Sequence, residues 1–136
     1  MKALICGIGG QDGSYLAQLL LAKGYRVYGT SRDAQVSSFH NLRSLGLEQQ
    51  VSLCSMVPTD FRSVLTVLSD TAPDEVYYLA GQTSVGFSFE QPVETLESIA
   101  VGTVNLLEAI RFLRRPVRFY HASSSECFGH LGGRPA

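Results

Sequence analysis

The stretch Gly7-Ile8-Gly9-Gly10-Gln11-Asp12-Gly13-Ser14 decides the fold of this chain. The apolar run Ala3–Cys6 precedes it and predicts a buried strand, and helically spaced apolar residues follow it. In such a strand–turn–helix unit, backbone N–H groups of the turn face an anion, and the helix N-terminus adds partial positive charge. Gly7, Gly10 and Gly13 omit a side chain where the chain turns tightly, where phosphate approaches or where helix packs on strand. This context favours a dinucleotide-binding turn over an ordinary glycine-rich turn.

Length and composition indicate one soluble globular domain. The chain has 136 residues, of which 45% are hydrophobic and 17% charged, and its net charge of −1 argues against nucleic-acid binding. There is no apolar run of membrane-spanning length and no leader pattern, so we expect a cytoplasmic protein without membrane contact. The cysteines (Cys6, Cys54 and Cys127) and the three histidines are scattered, so we expect small apolar roles for Cys6 and Cys54 and no metal site.

Strand and helix patterns alternate along the whole chain. After the first helix, with Tyr15, Leu16, Leu19 and Leu20 at one-turn spacing, Gly24 is placed to end it. Thr59 or Asp60 is expected to cap a later helix with the apolar face Phe61, Val64, Leu65 and Leu68. Further strands are predicted at 25–29, 51–54, 75–80 and 117–122, and further helices near 41–45 and over 92–113. This order predicts an α/β fold, a Rossmann-type doubly wound parallel sheet with helices on both faces.

An apolar stripe runs along the predicted helix 92–113. It consists of Leu96, Ile99, Ala100, Val104, Leu107 and Ile110. Two interpretations stay open, namely packing on the helix's own sheet and self-association with a second copy of the chain.

The end of the second strand bears on the choice of cofactor. An acidic residue there binds the ribose hydroxyls of NAD, whereas an arginine pairs with the extra phosphate of NADP. Arg32 favours NADP because its planar guanidinium suits phosphate. Asp33 would weaken the preference for NADP, either by pairing with Arg32 or by binding the ribose hydroxyls of NAD. The alternative is that Arg32 and Asp33 are only solvated charges in a loop.

Two polar segments follow the fourth and fifth predicted strands, at the edge where open α/β sheets bind ligands. They are Gly81–Ser84 and Ser123–Glu126. Three hydroxyls beside one carboxylate can hold a sugar and move a proton, with Glu126 as a general base. The alternative is a serine cluster that only forms a turn or caps a helix.

The chain resembles the GDP-mannose 4,6-dehydratases, a family of the extended short-chain dehydrogenase/reductase superfamily. The matching residues are Gly-Gln-Asp-Gly-Ser-Tyr-Leu-Ala at 10–17, Ser37–Phe39, Pro73–Tyr77, Gln82–Val85, Ser88–Glu90 with Pro92, Gly102-Thr103 with Leu106–Arg111, Phe119-Tyr120, Ala122–Glu126 and Phe128-Gly129. The resemblance covers nearly the whole chain. The run at 10–15 is more specific than the glycine spacing alone.

The resemblance implies an enzyme that converts GDP-mannose to GDP-4-keto-6-deoxymannose with bound NADP, as a homodimer or homotetramer. By position, Glu126 would remove the proton from carbon 5 of the sugar, and the Ser124 hydroxyl would hydrogen-bond the 4-oxygen. The implied cofactor-binding residues are Gly7, Gly10, Gln11, Asp12, Gly13, Ser14, Tyr15, Arg32, Leu79, Ala80, Gly81, Gln82 and Thr83. Ser125, where the dTDP-glucose dehydratases have an aspartate, favours the GDP-mannose type.

Several positions depart from the family pattern. Val57 stands where the family has an aspartate that meets the adenine, Asp33 where it has a second arginine, and Tyr78 where it commonly has asparagine. NAD is therefore a second candidate cofactor. The superfamily's Tyr-x-x-x-Lys and the sugar-binding domain are not found within 1–136, so we expect an amino-terminal portion that binds dinucleotide without turnover. A related GDP-sugar reductase or epimerase and a non-catalytic dinucleotide-binding homologue are the alternatives.

Overall fold

The computed structural model describes residues 1–81 and 83–124, which contain a five-stranded parallel sheet. The strands are β1 (Lys2–Cys6), β2 (Arg26–Ser31), β3 (Ser52–Ser55), β4 (Glu75–Tyr78) and β5 (Arg118–His121). Their order across the sheet is β3-β2-β1-β4-β5. The chain therefore builds the sheet outward from β1 on one side and then returns to build the other side. This confirms the doubly wound parallel sheet predicted from the alternating pattern.

Seven helical segments lie between these strands in the described residues. They are α1 (Gln11–Ala22), α2 (His40–Ser44), α3 (Phe61–Thr71), α4 (Val85–Glu90), α5 (Pro92–Leu96), a π-helical turn (Glu97–Val101) and α6 (Gly102–Leu113). The predicted helix 92–113 is thus continuous but contains a π-helical turn. In contrast, α4 lies in a segment for which the sequence predicted no helix.

The sheet separates two hydrophobic cores, and β1 contributes to both. Ala3 and Ile5 pack with buried residues of α1 and α2, whereas Leu4 and Cys6 pack with buried residues of α3 and α6. Successive side chains of a strand point to opposite faces, so a strand that is covered on both sides is an unbroken apolar run. Helices therefore cover both faces of the sheet, as predicted.

The α1 helix packs on β1 through small residues. Gly13, Ser14, Ala17 and Leu20 are buried, whereas Tyr15 and Leu19, which the apolar spacing had grouped with Leu20, are more than half exposed. Small side chains allow the helix axis to lie close to the strand, so the buried face is centred on them.

In α6, too, the buried residues differ from those that the apolar spacing predicted. Its buried residues are Gly102, Leu106 and Ala109, while Val104 and Leu107 of the predicted stripe are about half exposed. Leu96, in α5, is also exposed. Packing on the sheet therefore does not account for these three apolar side chains.

Helix α3 begins at a side-chain cap. Asp60 accepts a hydrogen bond from the Arg62 backbone N–H at 3.0 Å, which decides between the two predicted caps. The buried face of α3 includes Val64 and Leu68, as predicted, but Val67 is buried in place of the partly exposed Phe61.

Between residues 1 and 124, apart from position 82, no helix is both long and apolar enough to cross a bilayer.

Candidate dinucleotide-binding site

The glycine-rich turn between β1 and α1 is held by backbone contacts. Gly7 adopts φ 88°, a conformation that favours glycine, and its carbonyl accepts a hydrogen bond from the Gly10 N–H at 3.1 Å. A Cβ atom on Gly7 would lie 2.9 Å from the Leu79 carbonyl oxygen. On Gly13 it would overlap the Gly7 carbonyl oxygen and lie 2.8 Å from the Ile8 Cα. Two of the three predicted glycines are therefore required by the packing of the turn itself.

The α1 helix begins at Gln11, and Gly10, in the N-cap position before it, has no side chain to cap it. The backbone N–H groups of its first turn therefore need another acceptor, and a bound anion supplies one. Asp12 lies in this first turn, where it also complements the helix dipole.

A cleft of about 1010 Å³ opens beside this turn at the carboxyl ends of the strands. Among the predicted cofactor-binding residues, Gly7, Gly10, Arg32 and Ala80 line it. The strand ends coincide there, because Cys6 pairs in register with both Thr30 of β2 and Tyr78 of β4. The cleft therefore lies where the direction of sheet building reverses, the usual ligand position in such sheets.

The other predicted cofactor-binding residues lie outside the cleft lining. They are Gln11, Asp12, Gly13, Ser14, Tyr15, Leu79, Gly81 and Thr83. Ser14 is buried, and its hydroxyl donates to the Gln11 carbonyl at 2.8 Å, so it supports the helix start. Leu79 contributes backbone, since its carbonyl packs against Gly7. Gln82 lies outside the described residues.

Two stretches of the cleft wall were not among the predicted cofactor-binding residues, although parts of both carry the family resemblance. The first is Ser37–His40, between β2 and α2. The second is formed by Glu90–Glu94, Glu97 and Ser98 of the α4–α5 segment and the π-helical turn. Both approach the site only through tertiary folding.

Arg32 and Asp33 have different partners. The Arg32 Nη2 lies 3.3 Å from Glu94 Oε1, and both side chains are largely exposed. Asp33 Oδ1 accepts hydrogen bonds from the N–H groups of Gln35 and Val36, at 2.9 and 3.2 Å. Asp33 therefore stabilises its own turn and does not neutralise Arg32.

The loop after β3 forms an apolar part of the cleft. Met56, Val57, Pro58 and Thr59 line it. Val57 carries no hydrogen-bonding side chain, and Asp60 is occupied in capping α3. A base bound here would therefore make apolar contacts with this loop.

Tyr78 forms the floor of the cleft where β4 ends. Its side chain is buried, and its hydroxyl donates to the Ser98 carbonyl in the π-helical turn. The Gly102 N–H bonds the Glu97 carbonyl instead of Ser98, so the turn frees an acceptor for Tyr78. A Cβ on Gly102 would overlap the Tyr78 hydroxyl. Burial, assisted by Cys6 and opposed by Arg32, raises the pKa of Tyr78 to about 12, so the hydroxyl stays a donor at neutral pH.

The end of β5 lies at the same edge of the sheet and leads to Ser124, one of the two predicted catalytic residues. His121 pairs in register with Tyr78, and the two rings stack with centroids 5.7 Å apart. Its Nε2 lies 3.2 Å from the Thr103 hydroxyl of α6. Ser124 follows three residues later and is exposed, whereas Glu126 lies outside the described residues.

The cysteines in the described residues are free and unreactive in character. Burial raises the pKa of Cys6 to about 12 and also raises that of Cys54. Cys127 lies outside the described residues. No group of three or more His, Cys, Asp or Glu side chains suited to a metal ion occurs in the part of the chain that the structure describes.

Solved structures with this fold include nucleotide-sugar epimerases. A UDP-glucose 4-epimerase from Stenotrophomonas maltophila superposes with a TM-score of 0.85 at 22% identity, covering 100% of this chain and 40% of its own. The UDP-glucose 4-epimerase of Thermus thermophilus, solved with NAD, gives a TM-score of 0.71 at 30% identity over 82% of this chain and 34% of its own. The first likeness supports the fold alone.

Proteins with similar sequences identify the family of this chain more closely than the solved structures do. A GDP-mannose 4,6-dehydratase of Vibrio cholerae is 43% identical over 98% of this chain and 38% of its own length. GDP-mannose 4,6 dehydratase 2 of Caenorhabditis elegans is 45% identical over 95% of this chain and 36% of its own. The chain thus spans little more than a third of these relatives. The model of the GDP-mannose 4,6 dehydratase family matches residues 4–136, and the chain belongs to this family.

Proposed function

We propose that this protein is an NADP-dependent GDP-mannose 4,6-dehydratase, a lyase that forms GDP-4-keto-6-deoxymannose. The observation that carries the proposal is the family match over residues 4–136, together with a glycine turn that opens onto a cleft at the strand ends. Residues 1–136 would supply the dinucleotide-binding part and would not turn over substrate by themselves.

The residues of the cleft fit a dinucleotide. The uncapped start of α1 and the bare backbone of Gly7 and Gly10 suit a pyrophosphate, since no side chain intervenes. Arg32 lines the same cleft, where it would meet the adenosine ribose of a dinucleotide held this way. The apolar loop Met56–Thr59 suits the face of an adenine ring.

The residues after β5 would handle the sugar. When bound, the nicotinamide takes up hydride from carbon 4 of the sugar and later returns it to carbon 6. Ser124, exposed just past the strand end, would donate a hydrogen bond to the 4-oxygen. Glu126 would remove the proton from carbon 5 and pass it to the hydroxyl on carbon 6, which leaves as water. The stacked rings of Tyr78 and His121 would hold the strand end that carries this segment.

NADP is proposed over NAD because Arg32 lines the cleft and Asp33 is engaged with its own turn. NAD is the second candidate. It is supported by the NAD with which the Thermus thermophilus epimerase was solved.

Self-association is also part of the proposal, as a homodimer or homotetramer in the cytoplasm. Apolar side chains that the sheet does not cover lie along α4, α5 and α6. They include Phe89, Val93, Leu96, Val104 and Leu107. A second copy of the chain would remove this surface from water.

The test uses the protein expressed from its complete coding sequence. We expect NADP to bind more tightly than NAD, and GDP-mannose to give a product lighter by one water molecule. Glu126→Gln should abolish this product while leaving NADP affinity unchanged. Reduction or epimerisation of a GDP-sugar without loss of water would favour the alternative enzymes. Dinucleotide binding without turnover of any GDP-sugar would indicate a non-catalytic homologue.

A further inference from the structure

The guanidinium that would select NADP is already engaged across the mouth of the cleft. Arg32, directly after β2, meets Glu94, on α5, with a nitrogen–oxygen distance of 3.3 Å. Both residues line the cleft. Among the described residues, Glu94 is the carboxylate within ion-pair distance of Arg32.

This pair is weak enough to open. The side chains of Arg32 and Glu94 are 76% and 50% exposed, so water screens their attraction. Exposed pairs of this kind contribute little to stability. A ligand phosphate that binds Arg32 must nevertheless displace Glu94 or approach a guanidinium whose charge is already compensated.

The wall that carries Glu94 is acidic. Glu90 and Glu97 line the same cleft, and neither forms an ion pair with another described residue. A phosphate on the ribose carries about two negative charges near neutral pH. It therefore meets repulsion from this wall, whereas a ribose with free hydroxyls does not.

We propose that Glu94 sets the cofactor preference of this protein, by competing with the ribose phosphate of NADP for Arg32. The proposal rests on the proposed dinucleotide-binding function. Glu94 lowers the affinity for NADP and leaves that for NAD nearly unchanged, which narrows the preference that Arg32 alone would give.

The experiment measures dissociation constants for NADP and NAD by calorimetric titration of the protein expressed from its complete coding sequence. Glu94→Gln should tighten NADP binding about five-fold, the scale of one exposed charge interaction, and change NAD binding less than about two-fold. Glu97→Gln is the matched control, because it removes the same charge from the same wall without touching Arg32. It should change either affinity by less than about two-fold.

A second background isolates the role of Arg32. In Arg32→Gln, the further change Glu94→Gln should alter NADP binding by less than about two-fold, because only the screened repulsion between Glu94 and the phosphate remains. An equal gain in that background, or an equal gain from Glu97→Gln, would overturn the proposal, because Glu94 would then act only as one of several repelling charges. An unchanged NADP to NAD ratio in Glu94→Gln would also overturn it while leaving the proposed function intact. Failure of the unsubstituted protein to bind either dinucleotide would overturn both.

Discussion

The two walls of the cleft are built in different ways. The glycine turn (residues 7–13) consists of backbone in close contact, where a Cβ on Gly7 or Gly13 would come within 3 Å of other backbone atoms. The opposite wall, here named the roof segment (residues 85–101), contains α4, α5 and the π-helical turn and has no buried residue. It continues directly into α6, and its side-chain contacts to the strand ends include the Tyr78 hydroxyl bond and the Arg32–Glu94 pair.

This difference predicts how each wall responds to change. A substitution at Gly7 or Gly13 has to move backbone that also supports β1 and β4, so stability and ligand binding are lost together. A change at the attachments of the roof segment alters only a few contacts. It should therefore affect the cleft more than the fold.

The largest effect is expected for Gly13→Ala. The new methyl group would overlap the Gly7 carbonyl oxygen and approach Ile8 Cα to 2.8 Å, and neither atom belongs to a flexible side chain. We expect a loss of about 3 kcal/mol in the free energy of unfolding, the upper range for overpacking, measured by urea denaturation. Dinucleotide binding should weaken in parallel.

Gly9→Ala is the control within the same turn. Its Cβ would meet only the ring of Phe39, at 3.5 Å, an ordinary contact. We expect a stability change below about 0.5 kcal/mol. Equal losses in the two variants would show that the turn is not divided into crowded and open positions, and the contrast between the walls would lose its basis.

An intermediate effect is expected for Gly102→Ala, at the junction between the roof segment and α6. The added methyl group would overlap the Tyr78 hydroxyl and lie 3.1 Å from the Pro58 Cβ. Because these are side-chain atoms, part of the conflict can relax. We expect a destabilisation of about 2 kcal/mol in urea denaturation.

Tyr78→Phe supplies the matched test, because it removes the atom that the methyl group meets. Alone it should cost about 1 kcal/mol through the lost hydrogen bond to Ser98. Together, the two changes should cost less than their sum by about 1 kcal/mol. Strict additivity would mean that Gly102 is required for another reason, such as the backbone of the π-helical turn.

The sequence predicted the fold well because its signals are local. The strands that are buried on both faces appear as apolar runs, and the glycine spacing marks the turn between β1 and α1. It predicted the helix faces less well, since an apolar side chain does not reveal which partner covers it. Leu106 and Leu107 are adjacent and chemically identical, yet the first is fully buried and the second is 47% exposed.

Only those parts of the site that have a local sequence signal were predicted. Gly7, Gly10 and Arg32 lie in or next to a recognisable motif, and all three line the cleft. Glu94 gave no signal, because it lies 62 positions from Arg32 and only the packing of α5 over the strand ends brings them together. The role of Asp33 was open in the sequence, because its carboxylate suits either a ribose or its own backbone, and the structure has it bonded to Gln35 and Val36.

The smallest effect is expected from alkaline pH, and it tests whether Tyr78 attaches the roof segment. The pKa of Tyr78 is raised by burial from its ordinary value of 10.0 to about 12. Between these values the unfolded chain releases the phenolic proton while the folded chain keeps it, so stability falls as the pH rises. After allowance for screening, the contribution of Tyr78 should be about 1 kcal/mol over this interval. Urea denaturation at about pH 9 and about pH 11 should therefore show a smaller loss of stability in Tyr78→Phe than in the unsubstituted protein.

Tyr77→Phe is the control, because the pKa of Tyr77 is also raised to about 12, by burial and by Glu75, but its hydroxyl bonds Glu75 at the far end of β4. Both variants should flatten the fall in stability, whereas only Tyr78→Phe should weaken dinucleotide binding at neutral pH, because it alone removes the hydroxyl that bonds the Ser98 carbonyl. If the three proteins bound the dinucleotide equally well at neutral pH, the Tyr78 hydroxyl would not be what holds the roof segment over the cleft.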